Sequence, residues 1–322
     1  MNLDLLLTNI TNPALLFFLL GIIAVLLKSD LNIPESTSKF ISLYLLFSIG
    51  FKGGQELVHS DLGLSVVWIL SFGVFLALIV PLYTFFILKK KLGNSNAGAI
   101  SAAYGSVSAV TFITAIAFLD MSGVDYGGHM VAVMALMEAP SIIVGVVLMT
   151  YYNKKDQKEG ESSISIKKVI AHSVTNGSVV LILGSLVIGY LASAQQAQGI
   201  APFTTDLFKG FLAVFLLDKG IVSGKKLKAL VTYGWFPYVF AIAIPLANGI
   251  AACYLAPYVT DSLGDQLLFA ILAGSASYIA VPAAMKMAAP KANPGLYIPM
   301  ALAITFPMNI TLGIPLYYFL LT

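Results

Sequence analysis

Two short stretches hold nearly the same polar residues inside long apolar sequence that is free of charge. They are Tyr104-Gly105-Ser106-Val107-Ser108-Ala109-Val110-Thr111 and Ala273-Gly274-Ser275-Ala276-Ser277-Tyr278-Ile279-Ala280, each built on Gly-Ser-x-Ser and set 169 positions apart. Glycine weakens a helix and serine competes for backbone hydrogen bonds, so both stretches predict a helix that breaks near its middle. A half-helix restarting after such a break offers free N–H groups and the positive end of its dipole, which favour an anion. The hydroxyls of Ser106, Ser108, Ser275 and Ser277 add donors without fixed charge. Gly105, Ser106, Gly274, Ser275, Ala276 and Ser277 are the candidate anion-binding residues. Amides and hydroxyls suit a compact oxyanion better than a large or planar ligand. Small residues also let two helices simply pack closely; the matched pair favours the broken-helix reading.

Glu138 stands alone as an acid in Met-Ala-Leu-Met-Glu-Ala-Pro. An intramembrane charge costs a few kcal/mol, so it is expected to face an interior cavity and a partner. Pro140 frees a carbonyl one turn back. The corresponding stretch near the C-terminus, Ala303-Ile304-Thr305-Phe306-Pro307-Met308-Asn309, offers Thr305 and Asn309. Carboxylate, amide, hydroxyl and carbonyl oxygens are what a hard cation takes. Glu138, Asn309, Ser108, Thr111 and Thr305 are therefore the candidate cation ligands. A structural hydrogen bond or a proton-carrying role for Glu138 are the alternatives.

Other chemistries lack their residues. His59, His129 and His172 are isolated, Cys253 is the lone cysteine, and no Gly-Lys-Ser/Thr loop occurs. Metal clusters, an intramembrane serine hydrolase and ATP hydrolysis are thereby excluded, and no enzyme is expected. Lys52 and Glu56, and the neighbours Asp218 and Lys219, read as salt bridges or as side chains snorkelling toward the cytoplasmic face.

The elements that must position these groups are membrane helices. Apolar residues make up 58% of the chain, charged residues 10%, and mean hydropathy is +0.90, against about 25% charge in a soluble domain. A net charge of +3 gives no reason to expect nucleic acid. Met1–Asn12 carries Asp4 and no lysine, unlike the basic start of a signal peptide. Ten spans are expected near 13–28, 38–58, 63–88, 97–119, 128–152, 170–193, 203–222, 231–259, 266–288 and 296–321. The polar stretch Tyr152–Lys168 divides them into a first repeat (1–152), a cytoplasmic linker (153–168) and a second repeat (169–322). With both termini outside, every loop lysine is cytoplasmic, and Asp61, Asp120, Asp125, Asp261 and Asp265 lie outside. Gly50 and Gly54 recur as Gly220 and Gly224, Pro140 as Pro307, and Thr11-Asn12 as Thr175-Asn176. Five spans per half make this an all-α membrane protein with an inverted repeat, and two broken spans at matched positions mark a secondary transporter's binding site.

Leu-Leu-Leu-Thr-Asn-Ile-Thr-Asn-Pro-Ala-Leu-Leu-Phe-Phe at the N-terminus, Gly-Phe-Lys-Gly-Gly in the second span and both Gly-Ser-x-Ser segments resemble the sodium-dependent bicarbonate transporters of cyanobacteria. The resemblance spans nearly the whole chain. It implies a fold similar to the bile-acid/sodium symporters, with spans 1, 2, 6 and 7 as a gate domain and spans 3–5 and 8–10 as a core whose spans 4 and 9 cross. It implies sodium as the co-transported cation, bicarbonate as substrate, uptake across the plasma membrane by alternating access, a homotrimer, and a PII-like regulatory protein at the cytoplasmic face. The linker here is shorter than is usual in that family. Without the resemblance, the residues reach a cation-coupled carrier of a small anion, with a proton-coupled carrier, an anion channel or a sensor as rivals.

Overall fold

The computed structural model describes residues 11–58, 63–156, 171, 175–227 and 233–322, and every regular element among them is helical. Helix α1 (Pro13–Leu26) opens with proline at its first position and Asn12 as N-cap, whose side chain accepts the Ala14 N–H at 2.9 Å. Helix α2 is Glu35–Val58. Helix α3 (Leu64–Gly105) runs through the two expected spans 63–88 and 97–119 up to the first Gly-Ser-x-Ser. Its interior pivots at Gly93, where φ is 77°, a conformation open to glycine without steric cost. The expected spans end at 88 and resume at 97; between them a single glycine makes the turn.

After the break come α4 (Ala109–Ser122) and α5 (His129–Asp156). The α5 helix extends into the expected linker. The rest of that stretch, with Lys158, Glu159, Glu161, Lys167 and Lys168, lies outside the described residues, as do His59, Asp61, His172 and Lys228. The second half contains α6 (Gly177–Leu191), α7 (Ala194–Ala201), α8 (Phe208–Leu227), α9 (Trp235–Leu255), α10 (Leu263–Gly274) and α11 (Ala280–Ala288). The last helix, α12 (Pro294–Leu321), is long and apolar. Its π-helical turns at Met300–Thr305 and Asn309–Gly313 flank Pro307, which lacks the N–H that an α-helix needs there.

Runs at Leu64–Ser122, His129–Asn153, Ala194–Lys226, Trp235–Tyr258 and Pro294–Leu321 are long and apolar enough to cross a membrane; α1, α6 and α10 are shorter apolar helices. Their outward faces keep large apolar side chains such as Leu64, Trp68, Leu191 and Trp235 exposed, which fits lipid contact. Helix α1 packs along α8, α2 along α6, and α3 along α5, while α10 packs on α9 and α4. The first two pairs are close because glycine lines them. A Cβ on Gly21 would fall 2.3 Å from the Leu217 carbonyl oxygen, and one on Gly54 would fall 2.1 Å from that of Leu186. Either substitution forces the helices apart. Between these pairs and the α3–α5 and α9–α12 bundle lies the crossing of the two broken helices.

Candidate functional site

Both broken helices are interrupted where the glycines predict. Helix α3 stops at Gly105, and Ser106 is extended (φ −80°, ψ −178°). Helix α4 restarts behind Ser108, whose Oγ caps it by accepting from the Thr111 N–H at 3.2 Å and the Thr111 hydroxyl at 2.8 Å. Helix α10 stops at Gly274, Ser275 is extended (φ −97°, ψ 175°), and α11 restarts at Ala280 behind Ile279, which gives no side-chain cap. Ser277 Oγ instead accepts the Val281 N–H at 3.4 Å.

The two breaks are tied to each other. The Ser108 N–H donates to Ser275 Oγ at 3.0 Å, and the Ser277 N–H donates to the Ala103 carbonyl at 2.8 Å. Ser275 Oγ also donates to the Leu272 carbonyl at 3.1 Å. Its hydroxyl therefore holds the crossing together in this state, whereas Ser106 Oγ is buried without a hydrogen-bond partner among the described residues. Carbonyls beside the breaks are met from α5 and α12, the Ala102 carbonyl in addition to the Ser106 N–H that it already accepts at 3.0 Å. Ser141 Oγ donates to Ala102 O at 3.1 Å, and Asn309 Nδ2 donates to Gly274 O at 2.7 Å.

Beside the crossing is a small cavity of about 30 Å³, room for roughly two water-sized groups. Ser108 and Ser277 line it, with Ala109 and Val110 from the first turn of α4, and Ile279 and Ala280 at the start of α11. Amides in a helix's first turn have no carbonyl one turn back to pair with, so two positive helix ends converge on one space. Glu138 of α5 lines the same cavity, and its Oε1 is buried with no partner among the described residues. Ser42 and Leu46 of α2 and Ser178 of α6 close the opposite wall.

Of the candidate anion-binding residues, Ser277 lines the cavity; Gly105, Ser106, Gly274, Ser275 and Ala276 lie at the crossing but do not line it. Gly105 packs under Pro81 and Ser141, and Gly274 beside Pro245 and Tyr317. Of the cation candidates, Glu138 and Ser108 line the cavity. Thr111 bonds to Ser108, and Asn309 keeps a buried Oδ1 without a partner among the described residues. Thr305 shares a 2.8 Å hydrogen bond with the Tyr104 hydroxyl and donates to Ala241 O at 2.7 Å. The residues missed are those opening the half-helices, Ala109, Val110, Ile279 and Ala280, and Tyr278 before them. The signal was present, since the free amides follow the glycine of each break by four to six residues.

Charged side chains settle elsewhere. Lys52 forms a salt bridge, its Nζ lying 3.8 Å from Asp120 at the end of α4. Lys52, Glu56, Asp120, Asp125 and Tyr126 line an open pocket of about 360 Å³ there. Burial, then the charges of Asp120 and Glu56, push the Tyr126 phenol up from its ordinary value. Asp218 does pair with Lys219, at 2.7 Å, and accepts from Ser38 Oγ at 2.6 Å. His129 is not isolated: its Nε2 is 3.0 Å from Asp265 Oδ2, and Asp265 Oδ1 accepts the Gly127 N–H at 2.7 Å.

Comparison with curated proteins finds no match. The family model for the Na+-dependent bicarbonate transporter superfamily matches residues 13–322, nearly the entire chain and both broken helices, and the protein belongs to that superfamily.

Proposed function

We propose that this protein is a sodium-coupled symporter that takes up bicarbonate across the plasma membrane by alternating access. The observation that carries the reading is the shared cavity. Two half-helix N-termini supply positive potential for an anion, and an unpartnered carboxylate oxygen of Glu138 supplies a place for a cation within the same space. A monovalent anion entering a negative interior is opposed by about 2.3 kcal/mol per 100 mV. A co-bound sodium ion cancels that charge, and its own gradient supplies the drive. Glu138 and Ser108 are the cation ligands at the cavity, with Thr111, Thr305 and Asn309 behind them. Ser277 and the first-turn amides hold the anion, with Gly105, Ser106, Gly274, Ser275 and Ala276 shaping the unwound backbone.

An inverted repeat, both termini outside and a gate moving against a core belong to the same proposal. The glycine crossings support it. A Cβ on Gly50 would fall 2.7 Å from Ile182 O and 2.8 Å from Ser185 Cβ; one on Gly220 would fall 2.0 Å from Phe18 O and 3.1 Å from Gly21 Cα. Gly50 and Gly220 are 170 apart, while Phe18 and Gly21 stand 164 before Ile182 and Ser185. The α1–α8 and α2–α6 pairs are then one contact seen twice. The wall contributed by α2 and α6 is the gate side of the cavity. A homotrimer and a PII-like regulator at the cytoplasmic face complete the proposal and rest on the family resemblance.

The test is uptake of labelled bicarbonate into vesicles containing the purified protein, with and without an inward sodium gradient. Accumulation above equilibrium is expected only with the gradient. Equal uptake under both conditions would make the protein a passive anion path.

A further inference from the structure

We propose that the phenolic hydroxyl of Tyr278 donates directly to the transported anion and helps to set its specificity. This rests on reading the cavity as the anion site. Tyr278 is one of two tyrosines the twin motifs do not share: the residue 169 positions earlier is Ala109, just as Tyr104 stands opposite Ala273, so behind the breaks one half presents a phenol where the other has a methyl group. The side chain lines the cavity beside Ser108, Ser277 and Glu138. Its ring is held edge-on against Phe306, with centroids 5.9 Å apart, and Phe306 in turn packs edge-on against Phe18. The ring is thus positioned by aromatic contacts, and the hydroxyl is left with no partner among the described residues.

A buried hydroxyl without a partner is unfavourable and calls for an explanation. Tyr104, at the head of the first motif, shows the ordinary arrangement, its hydroxyl bonded to Thr305 Oγ1. The Tyr278 hydroxyl lies near Ser108 Oγ, which is already engaged by the Thr111 N–H and hydroxyl, and it makes no hydrogen bond there. Glu138 lines the same cavity and its buried Oε1 is equally unpartnered among the described residues, so the two groups do not satisfy each other. The carboxylate oxygen, an acceptor, suits a cation; the phenol supplies a proton and suits an anion. A trigonal oxyanion presents three oxygens. It can accept from the phenol while the helix N-termini hold the others, which a spherical halide cannot do to the same degree.

Tyr278→Phe removes the hydroxyl and keeps the ring on Phe306. The variant is reconstituted in vesicles for labelled bicarbonate uptake at saturating sodium. Its unfolding temperature is measured with sodium bicarbonate and with sodium chloride. The expected result is a rise in KM for bicarbonate of about tenfold or more, the scale of a lost hydrogen bond to a charged group. The bicarbonate-dependent rise in unfolding temperature shrinks toward the chloride value, while the unliganded temperature holds or increases. Half-saturation by sodium changes little. Wild-type KM in the variant overturns the inference. So does a lower unliganded unfolding temperature with an intact bicarbonate-induced rise, which marks a structural hydroxyl. If wild-type protein is neither stabilised by bicarbonate nor transports it, the reading of the cavity falls and this inference falls with it.

Discussion

The two breaks are near copies in sequence, yet they do different work in the folded chain. The first is short, with α4 restarting at once behind a capping Ser108. The second runs through five residues before α11 begins, and Ile279 offers no side-chain cap. Ser275 Oγ both accepts from Ser108 N and donates to Leu272 O, whereas its counterpart Ser106 Oγ has no partner among the described residues. The second break acts as the latch, and the first keeps a hydroxyl in reserve. A duplicated motif thus fixes where the backbone opens, and its non-identical neighbours decide which polar groups remain available.

The glycines give the largest test of that contrast. A Cβ on Gly105 would lie 2.3 Å from Ser141 Oγ and 2.4 Å from Pro81 Cδ, while one on Gly274 would lie 3.0 Å from Pro245 O and Tyr317 Oη. Gly105→Val is expected to abolish bicarbonate uptake. Gly105→Ala should cost about 1–3 kcal/mol by overpacking, and Gly274→Ala clearly less. Thermal unfolding and uptake of the two alanine variants, compared side by side, check this. Equal losses would erase the difference in packing between the breaks.

Glu138 on α5 and Thr305 on α12 each stand two residues before a proline, and only the first carries charge. Glu138→Gln keeps the shape and is expected to raise the sodium concentration for half-maximal uptake roughly tenfold, the scale of a lost charge-assisted ligand. Bicarbonate KM at saturating sodium should move much less. Thr305→Val should leave sodium dependence nearly intact and lower stability, since Thr305 donates to Ala241 O and meets Tyr104. If Glu138→Gln retains wild-type sodium dependence but loses its pH dependence, Glu138 carries a proton instead.

The serines come next. Ser275→Ala leaves the buried Ser108 N–H without its acceptor, at a cost of about 1–3 kcal/mol. Ser106→Ala removes a hydroxyl that has no partner in this state, so its effect on unfolding should be near zero or favourable. A scan of both variants by thermal unfolding decides, and matched losses would mean that the breaks are equivalent after all.

How far the sequence predicted these differences follows from the range of each interaction. Gly-Ser-x-Ser placed both breaks because glycine and serine act on their own backbone. Thr11-Asn12 and Thr175-Asn176 could be paired as a recurring dipeptide, and the structure makes both asparagines helix caps. The π-helical turns of α12 were not foreseen, although Pro307 sits between them. The pivot at Gly93 falls between two expected spans, where nothing in the neighbouring residues singled that glycine out. The fate of each hydroxyl was beyond reach, because Ser275 is engaged from Ser108, 167 positions away. Lys52 forms a salt bridge, but the partner was out of reach for the same reason: Asp120 comes from another helix.

The smallest effect is expected where the halves agree best. Asn12 and Asn176 cap α1 and α6 with nearly the same backbone (φ −57°, ψ 125° and φ −57°, ψ 132°), each accepting at 2.9 Å from the N–H two residues on. Replacing either by alanine should cost about 1 kcal/mol, the usual worth of such a cap, and the two losses should match. Function should separate them. The N–H held by Asn176 belongs to Ser178, which lines the cavity, while that held by Asn12 belongs to Ala14, which does not. Asn176→Ala should therefore raise the KM for bicarbonate by a small factor, and Asn12→Ala should leave it unchanged. Equal unfolding losses with unequal uptake would show that one repeated device serves stability in one half and the transport site in the other. Identical uptake would place the Ser178 wall outside the path of the anion.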